Sequence, residues 1–306
     1  MQWAATMAVQ KRALSLCGCG FLGVYHAGAV AGLRDHGALD ALTRTGVVGA
    51  SAGALVGAIV ACGGHKETHF LERYLPAVLD GAARARRQPF GLLTPGFRLL
   101  DDVAAVLRSE LPPHAHELAS GKLHVALTTL GGGGRRRLPR QEFVSQFPDR
   151  EALLEAVLRS CCIPGVTGGL LRPGGGLPTQ RASPRLLEQH APPQPERYAI
   201  DGGLLRNWPP HPAAGPGETL FIAPFASCAL DICPALTTPL KAPQTPAQLG
   251  VPLECSSRNV RAAWQAFFPP RGEVLEEWCE RGYRDAQAWC ELQGDAEGGK
   301  PDEAKC

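Results

Sequence analysis

The sequence predicts an α/β protein whose central sheet is covered by helices on both faces. Over the first two thirds of the 306 residues, short apolar runs typical of strands alternate with longer runs typical of helices. This alternation is the pattern of a sheet packed between helices. Two of the junctions between a strand and a helix, at residues 18–23 and 49–53, are rich in glycine and carry the functional signals.

Each element is predicted from its composition and its boundaries. Short runs rich in apolar and β-branched residues predict strands, and glycine or proline marks the end of most helices. The predicted strands cover residues 13–17, 47–50, 123–130, 142–147, 198–200 and 218–223. The predicted helices cover residues 24–36, 52–62, 68–87, 99–111, 150–160, 259–268 and 274–292. Asp149 is the predicted N-cap of the fifth helix.

The composition divides the chain into four parts. We predict an N-terminal extension at 1–12, a main domain at 13–233, a helical C-terminal extension at 234–293 and a disordered polar tail at 294–306. Within the main domain, residues 171–197 are predicted to form an irregular loop rich in glycine and proline. The arginines at 135–137 follow four glycines and are interpreted as a solvated turn, with contact to an anionic surface as the alternative.

Composition and charge exclude several classes of function. The formal net charge is +2 and aromatic residues make up 6% of the chain, so nothing indicates a nucleic-acid-binding protein. The 11 cysteines include no C-x-x-C pair, which argues against a zinc or thioredoxin-type site and favours free, mostly buried thiols in a reducing compartment. The uncharged stretch at 47–62 is short for a membrane span. We therefore expect no transmembrane helix, metal or cofactor.

The strongest functional signal is the pentapeptide Gly49-Ala50-Ser51-Ala52-Gly53, between an apolar strand and a helix-forming run. This is the sequence form of a nucleophile elbow, in which a serine on a sharp turn points its hydroxyl out of the sheet edge. Only small residues fit around the turn because the strand and the helix approach closely. The following helix directs its N-terminal amides at the serine, where negative charge develops. A buried glycine-rich turn without function is the alternative.

A second glycine-rich turn, Gly18-Cys19-Gly20-Phe21-Leu22-Gly23, also lies between a strand and a helix. It matches the G-x-G-x-x-G pattern of dinucleotide-binding folds, which require an acidic residue about 20 positions on, at the end of a strand. Asp35 and Asp40 lie near that distance, but in a predicted helix end and turn. We therefore interpret the six residues as a source of backbone amides that bind an oxyanion. Cys19 is expected there for its small size, with a reactive thiol as the alternative.

A serine nucleophile needs a base, and in α/β-hydrolases the base is a histidine that follows the acid in sequence. His211 follows Asp201 but lies in a Pro-Pro-His-Pro segment, and none of the other histidines after Ser51 lies in a motif-like setting. Asp201 is the better candidate, because it ends a short strand and two glycines let it turn toward the serine and accept its proton. An ordinary Asp-Gly turn is the alternative.

Together, these motifs resemble those of the patatin-like phospholipase family in its animal adiponutrin-like branch. Residues 18–23 resemble the family's oxyanion loop, residues 49–53 its nucleophile elbow and Asp201-Gly202-Gly203 its D-G-G motif. Asn207 and Pro209 resemble the N-x-P that follows. Further similarity at 92–96, 112–118, 160–164, 223–234 and 267–270 extends the resemblance over most of residues 13–290.

The resemblance implies a three-layer α/β/α fold with a mostly parallel sheet and a catalytic dyad of Ser51 and Asp201. It implies a metal-free acyl hydrolase that cleaves triacylglycerol, phospholipid or retinyl esters, with transacylation as a further activity. The expected protein is cytoplasmic and binds peripherally to lipid droplets or membranes. A protein of the same fold that binds such surfaces with little catalysis is the alternative.

Two segments depart from the family pattern. Residues 131–137 replace a polar hairpin tip, and the stretch at 172–197 is longer and richer in glycine and proline than the family's connection to the D-G-G strand. We expect the longer connection to affect access to Asp201, and therefore turnover, without changing the fold.

Overall fold

The computed structural model describes residues 11–64, 70–90, 92, 94, 98–130, 139–163, 166–167, 198–215, 217–227, 229–235 and 253–298. The basic turn at 131–137, the loop at 171–197, most of the N-terminal extension and residues 236–252 of the C-terminal extension lie outside these residues. The predictions made for those segments are therefore not tested.

The strands and helices alternate as the sequence predicts. The strands are β1 (Ala13–Leu16), β2 (Gly46–Gly49), β3 (Leu123–Leu130), β4 (Arg140–Val144), β5 (Tyr198–Asp201) and β6 (Thr219–Ile222). The helices are α1 (Gly23–Asp35), α2 (Leu39–Leu42), α3 (Ala52–Ala61), α4 (Phe70–Arg86), α5 (Leu99–Glu110), α6 (Ala115–Ala119), α7 (Arg150–Ser160), α8 (Ser257–Phe267) and α9 (Gly272–Gly298). A 3-10 turn at Gly20–Leu22 leads into α1.

The six strands form one mixed sheet in the order β4-β3-β2-β1-β6, with β5 also paired to β3. Strands β6, β1, β2 and β3 are parallel, whereas β4 and β5 run antiparallel to β3. The helices cover the sheet on both faces, so the α/β/α prediction is confirmed.

Strands β2 and β5 lie on the same edge of β3 and run toward each other. Gly49, the last residue of β2, pairs with Val125 of β3, and Asp201, the last residue of β5, pairs with Leu127. Strand β4 occupies the opposite edge of β3 over the same residues. The carboxyl ends of β2 and β5 therefore meet, separated by about two residues along β3.

Some boundaries differ from the prediction. Strand β4 covers Arg140–Val144 rather than 142–147, because its register is set by pairing with β3. The one-turn helices α2 and α6 were not predicted, since four or five residues are too few for a visible apolar period. Helix α9 continues to Gly298, beyond the predicted end at residue 292, and residues 299–306 lie outside the described chain.

The C-terminal helix packs backbone to backbone against α1. A Cβ atom on Gly28 of α1 would lie 1.9 Å from the carbonyl oxygen of Cys279, and one on Gly282 of α9 would lie 2.1 Å from that of Tyr25. The Tyr25 hydroxyl also donates a hydrogen bond of 2.7 Å to Asp285 of α9. The two glycines thus allow an approach that any side chain would prevent, and α9 belongs to the same core as the sheet.

Two features of the described residues bear on the expectations from composition. None of the described helices combines the length and the apolar character needed to cross a lipid bilayer. The nine described cysteines are all free thiols, and five of them are buried: Cys17, Cys19, Cys161, Cys162 and Cys279.

Candidate active site

Ser51 occupies a strained turn between β2 and α3. Its φ of 53° and ψ of −125° make it the only non-glycine residue with a positive φ in the described part of the chain. The neighbouring glycines are required by close contact: a Cβ on Gly49 would lie 2.5 Å from the carbonyl oxygen of Gly53, and a Cβ on Gly53 would lie 2.1 Å from that of Leu16. Such strain persists only where the surroundings impose it, and it is common at functional sites.

Ser160, at the end of α7, holds this turn in place. The backbone N–H of Ser51 donates a hydrogen bond of 2.9 Å to the Ser160 hydroxyl, which in turn donates one of 2.8 Å to the carbonyl oxygen of Ala126. Ala126 lies in β3 between the two residues that pair with the ends of β2 and β5. The strained serine is therefore fixed to the strand that also positions Asp201.

Asp201 is held beside the same helix end. Its backbone N–H donates a hydrogen bond of 2.9 Å to the carbonyl oxygen of Cys162, directly after α7. Both glycines of the D-G-G motif are needed for close approach, since a Cβ on Gly202 would lie 2.0 Å from the carbonyl oxygen of Ala126 and one on Gly203 would lie 2.5 Å from Asn207. The end of α7 thus connects Ser51 and Asp201, which are 150 positions apart in the sequence.

The carboxyl group of Asp201 is buried near the hydroxyl of Ser51. Its Oδ1 accepts a hydrogen bond of 2.7 Å from the backbone N–H of Gly203, and its Oδ2 accepts none from the described residues. Burial raises the pKa of Asp201 to about 6, although the nearby hydroxyl of Ser51 and the Gly203 amide both act to lower it. The carboxyl is therefore ionised at neutral pH and keeps one oxygen unpaired beside the serine.

The glycine-rich turn lies against Ser51. A Cβ on Gly18 would lie 3.2 Å from the Cβ of Ser51 and 2.7 Å from Oδ1 of Asn207. The Asn207 side chain binds the backbone of Gly18 on both sides, because its Oδ1 accepts from the Gly18 N–H at 2.8 Å and its Nδ2 donates to the Gly18 carbonyl at 2.9 Å. Asn207 therefore fixes the turn at the distance from Ser51 that only glycine permits.

These contacts narrow the set of amides predicted to bind an oxyanion. The Gly18 amide donates to Asn207, the Leu22 amide to the carbonyl of Cys19, and the Gly23 amide to that of Gly20. The amides of Cys19, Gly20 and Phe21 donate to none of the described residues, and all three residues line the cavity next to Ser51. Ala52, the first residue of α3, also lines the cavity, and its amide has no partner within the helix.

A cavity of about 270 Å³ joins these groups and is mostly apolar. Ser51, Asp201 and the turn at residues 18–21 form its floor, and helices α3, α4, α5 and α8 form its walls. The apolar side chains that line these walls are Leu55, Tyr74, Val78, Leu99, Leu100, Val103, Val106 and Phe267. The cavity therefore brings a serine hydroxyl, a carboxylate and backbone amides together in a site suited to an apolar ligand.

The structure separates His211 from Ser51. The Nε2 atom of His211 would lie 2.9 Å from a Cβ on Gly46, at the start of β2, whereas Ser51 follows the end of that strand. Its imidazole packs against His124 with ring centroids 4.4 Å apart, and burial together with His124 lowers the pKa of His211 to about 4. His211 is thus a neutral core histidine that cannot reach the serine.

The acidic residue required by the dinucleotide-binding alternative is also misplaced. Asp35 is the last residue of α1 and Asp40 lies in the short helix α2, so neither follows a strand. The next strand along the chain is β2, which leads to Ser51. The arrangement lacks the acidic position that a dinucleotide ribose needs.

The sequence reasoning assigned no role to Ser160 or Asn207, which hold the site together. Asn207 was noticeable only because it follows the D-G-G motif at a fixed distance, and nothing local marks Ser160. Both act on residues that are more than 100 positions away, so their roles depend on the pairing of strands rather than on local sequence.

Comparisons with known proteins identify relatives over most of the chain. The family model described as Patatin-like phospholipase matches residues 14–214. Patatin-like phospholipase domain-containing protein 2 of Mus musculus is 31% identical over 92% of this chain and 50% of its own length. Patatin-like phospholipase domain-containing protein 4 of Homo sapiens is 32% identical over 89% of this chain and 93% of its own length. The omega-hydroxyceramide transacylase of Mus musculus is 30% identical over 90% of this chain and 40% of its own length.

The chain spans about half the length of the first of these relatives. In contrast, the chain matches nearly the whole length of Patatin-like phospholipase domain-containing protein 4 of Homo sapiens. The similarity therefore includes the elbow, the glycine-rich turn and the D-G-G motif, and it continues into the C-terminal helices.

Replacement of Ser51 by glycine should relieve the strain of the turn. We expect Ser51→Gly to have a free energy of unfolding about 1 kcal/mol higher than Ser51→Ala, because only glycine adopts a positive φ without cost. Urea denaturation of both variants measures the difference. At Ser109, within α5, Ser109→Gly should instead have a lower free energy of unfolding than Ser109→Ala, since glycine destabilises a helix relative to alanine. The same order at both positions would contradict a strained Ser51.

Proposed function

This chain belongs to the patatin-like phospholipase family, and we propose that it is a serine-dependent acyl hydrolase that cleaves the carboxylic esters of lipids. The observation that carries the proposal is the convergence of Ser51 and Asp201 on one apolar cavity beside unpaired backbone amides. Triacylglycerols, phospholipids and retinyl esters are the candidate substrates.

In the proposed first step, Ser51 Oγ attacks the ester carbonyl carbon. Asp201 accepts the hydroxyl proton through Oδ2, the oxygen that has no partner among the described residues. Burial raises the pKa of Asp201 to about 6, which makes it a stronger base than an exposed carboxylate while leaving it ionised at neutral pH.

The carbonyl oxygen becomes an oxyanion as the tetrahedral intermediate forms. We propose that the backbone amides of Cys19, Gly20, Phe21 and Ala52 bind it, since all four residues line the cavity beside Ser51. The amides lie at the start of a 3-10 turn and of α3, where the helix dipole also favours negative charge. Removal of one such donor typically costs 10²–10³-fold in rate.

Collapse of the intermediate leaves an acyl group on Ser51 and releases the alcohol, which takes the proton from Asp201. Water then attacks the acyl-enzyme with Asp201 as the base and regenerates the serine. An alcohol acceptor in place of water would make the same site a transacylase, the activity named for the mouse ceramide relative. The apolar walls suit the acyl chain in either case.

We further propose that the protein works at a lipid surface, on which the outer face of α8 lies. Val260, Trp264 and Phe267 are 69%, 63% and 43% exposed, while the inward residues of the helix include the small Ala262 and Ala266. A helix that turns its large apolar side chains outward is typical of a binding face rather than of a solvated one.

This outer face is continuous with the cavity, because Phe267 is exposed and also lines it. Helix α8 also contacts the glycine-rich turn directly, since a Cβ on Gly20 would lie 2.0 Å from the carbonyl oxygen of Ala266. An ester that leaves a lipid droplet or membrane beneath α8 would therefore enter next to the nucleophile. Peripheral binding needs no membrane-spanning helix.

Removal of either member of the dyad should abolish activity. We expect Ser51→Ala and Asp201→Asn to lose at least about a thousandfold in kcat/KM for a p-nitrophenyl ester, because each removes a group that acts in the transition state. Covalent labelling by a fluorophosphonate probe should disappear in Ser51→Ala. The control is His211→Asn, which should retain labelling and hydrolysis. A loss in this control equal to that of Ser51→Ala would instead favour a histidine base.

Activity should rise with pH through the ionisation of Asp201. Because the base must be deprotonated, and because burial raises the pKa of Asp201 to about 6, kcat/KM should increase as the pH rises through about 6 and then level off. A pH profile with a water-soluble ester measures this. Asp102, a half-buried carboxyl that also lines the cavity, is paired with Arg84 at 2.9 Å, so Asp102→Asn should keep the rise. A flat profile between pH 4.5 and 8 would contradict an aspartate base.

The outer face of α8 should be required for hydrolysis at a lipid surface. In the double variant Val260→Ser/Trp264→Ser we expect binding to phosphatidylcholine vesicles to weaken at least about tenfold. The variant lacks the two large apolar side chains whose transfer from water into the lipid favours binding. Hydrolysis of a vesicle-borne ester should fall in parallel, and hydrolysis of a water-soluble ester far less. Leu292→Ser, at an equally exposed position of α9, is the matched control. Equal binding by both variants would contradict docking through α8.

A further inference from the structure

Two cysteines and a histidine cluster beneath the glycine-rich turn. Cys17 and Cys19 lie on either side of Gly18, and their sulfur atoms and a ring nitrogen of His26 all lie within 4.8 Å of one another. The Cys17 Sγ is 3.7 Å from His26 Nε2. Cys17 and His26 are fully buried, whereas Cys19 borders the cavity beside Ser51. The proposed hydrolysis uses none of the three side chains.

We propose that Cys17 and Cys19 are a peroxide-sensitive pair that forms a disulfide bond across Gly18. Residues two positions apart lie at most about 7 Å from each other, close to the Cα separation that a disulfide spans. Their sulfur atoms already face the same side of the chain, so the bond needs only a local movement. Hydrogen peroxide is small enough to reach Cys19 through the cavity.

The pair is also chemically matched for this reaction. Burial by itself raises the pKa of Cys17, but hydrogen bonds with Cys19 and His26 and the charge of His26 together lower it to about 6. Burial and the neighbouring Cys17 raise the pKa of Cys19 well above its usual range. The two sulfurs therefore share one proton at neutral pH, and the thiolate is the form that reacts with peroxides.

The reaction takes two balanced steps. One sulfur, as the thiolate, attacks a peroxide oxygen, breaks the O–O bond and becomes a sulfenic acid, while the departing hydroxide takes up a proton and leaves as water. The second sulfur then attacks the sulfenic sulfur and expels a second water. In sum, two thiols and one hydrogen peroxide give one disulfide and two water molecules. The Nε2–H of His26, 3.7 Å from the Cys17 Sγ, is placed to stabilise the thiolate.

The same three residues could also be read as a metal site, but the geometry favours the disulfide. The Nε2 of His26 already lies 3.0 Å from the carbonyl oxygen of Cys17, so this nitrogen faces a backbone acceptor. A tetrahedral zinc ion would need a fourth ligand, and the described residues offer only three in this cluster.

Closure of the bond would act on the amides proposed to bind the oxyanion. Gly18 is clamped by Asn207 on both its N–H and its carbonyl, so contraction of the flanking residues must be taken up at Cys19 and Gly20. Gly20 cannot move outward, because the carbonyl oxygen of Ala266 lies directly against it. The bond would thus misalign the proposed oxyanion donors and reversibly inactivate the enzyme. Formation of the bond itself does not depend on the proposed activity.

A tryptic map tests the bond directly. Cleavage after Arg12 and Arg34 places Cys17 and Cys19 in one peptide that contains no other cysteine. The reduced full-length protein is treated with hydrogen peroxide, denatured, alkylated and digested. We expect this peptide to lose two hydrogen atoms and to escape alkylation. Fluorophosphonate labelling of Ser51 should fall several-fold and should return after treatment with dithiothreitol.

Two variants separate the pair from general thiol oxidation. In Cys17→Ala and in Cys19→Ala, fluorophosphonate labelling should be the same before and after peroxide treatment. Cys255→Ala, which removes an exposed thiol elsewhere, should lose labelling after peroxide as the unmodified protein does. Alkylation of both cysteines in the treated protein, or zinc retained on them after purification, would overturn the proposal. If Ser51 is never labelled, the hydrolase function fails, and the peptide masses still decide whether the bond forms.

Discussion

Strand β3 pairs with two strands that run toward each other along a single edge, and the site depends on this arrangement. Strand β2 arrives from one end and β5 from the other, so that Gly49 and Asp201 pair with residues of β3 that are only two positions apart. A parallel sheet would place the two carboxyl ends side by side. The antiparallel entry of β5 instead points its last side chain at the turn that follows β2. The hydroxyl of Ser160 at the end of α7 and the carbonyl of Cys162 just beyond it then accept hydrogen bonds from the backbone N–H groups of Ser51 and Asp201.

The surrounding contacts make the site rigid before any ligand arrives. Ser51 holds a backbone conformation that costs free energy, and glycines at 18, 49, 53 and 202 bring neighbouring segments closer than a side chain allows. This close packing leaves little room for water around Asp201, and the resulting burial raises its pKa. The same burial that makes the carboxylate a better base therefore arises from the glycine contacts that position it.

The sequence was most informative where the structure is local. The elbow, the glycine-rich turn and Asp201 could all be predicted because each combines a strand end with small residues, and the α/β alternation followed from apolar runs. The meeting of β2 and β5 could not be predicted, since the direction of β5 depends on pairing with residues that precede it by about 70 positions. The roles of Ser160 and Asn207 and the outward apolar face of α8 were hidden for the same reason. The sequence alone does not distinguish Trp264, which is exposed, from a tryptophan of the core.

The backbone contact between α1 and α9 has a consequence for synthesis of the protein. Helix α1 continues directly from the glycine-rich turn, yet Gly28 meets its partner surface only at Cys279, some 250 residues later. During translation, the face of α1 that packs on α9 therefore stays exposed until nearly the whole described chain has left the ribosome. Such a long-range contact slows folding. The glycine-rich turn is therefore synthesised long before the helix that completes the packing of α1.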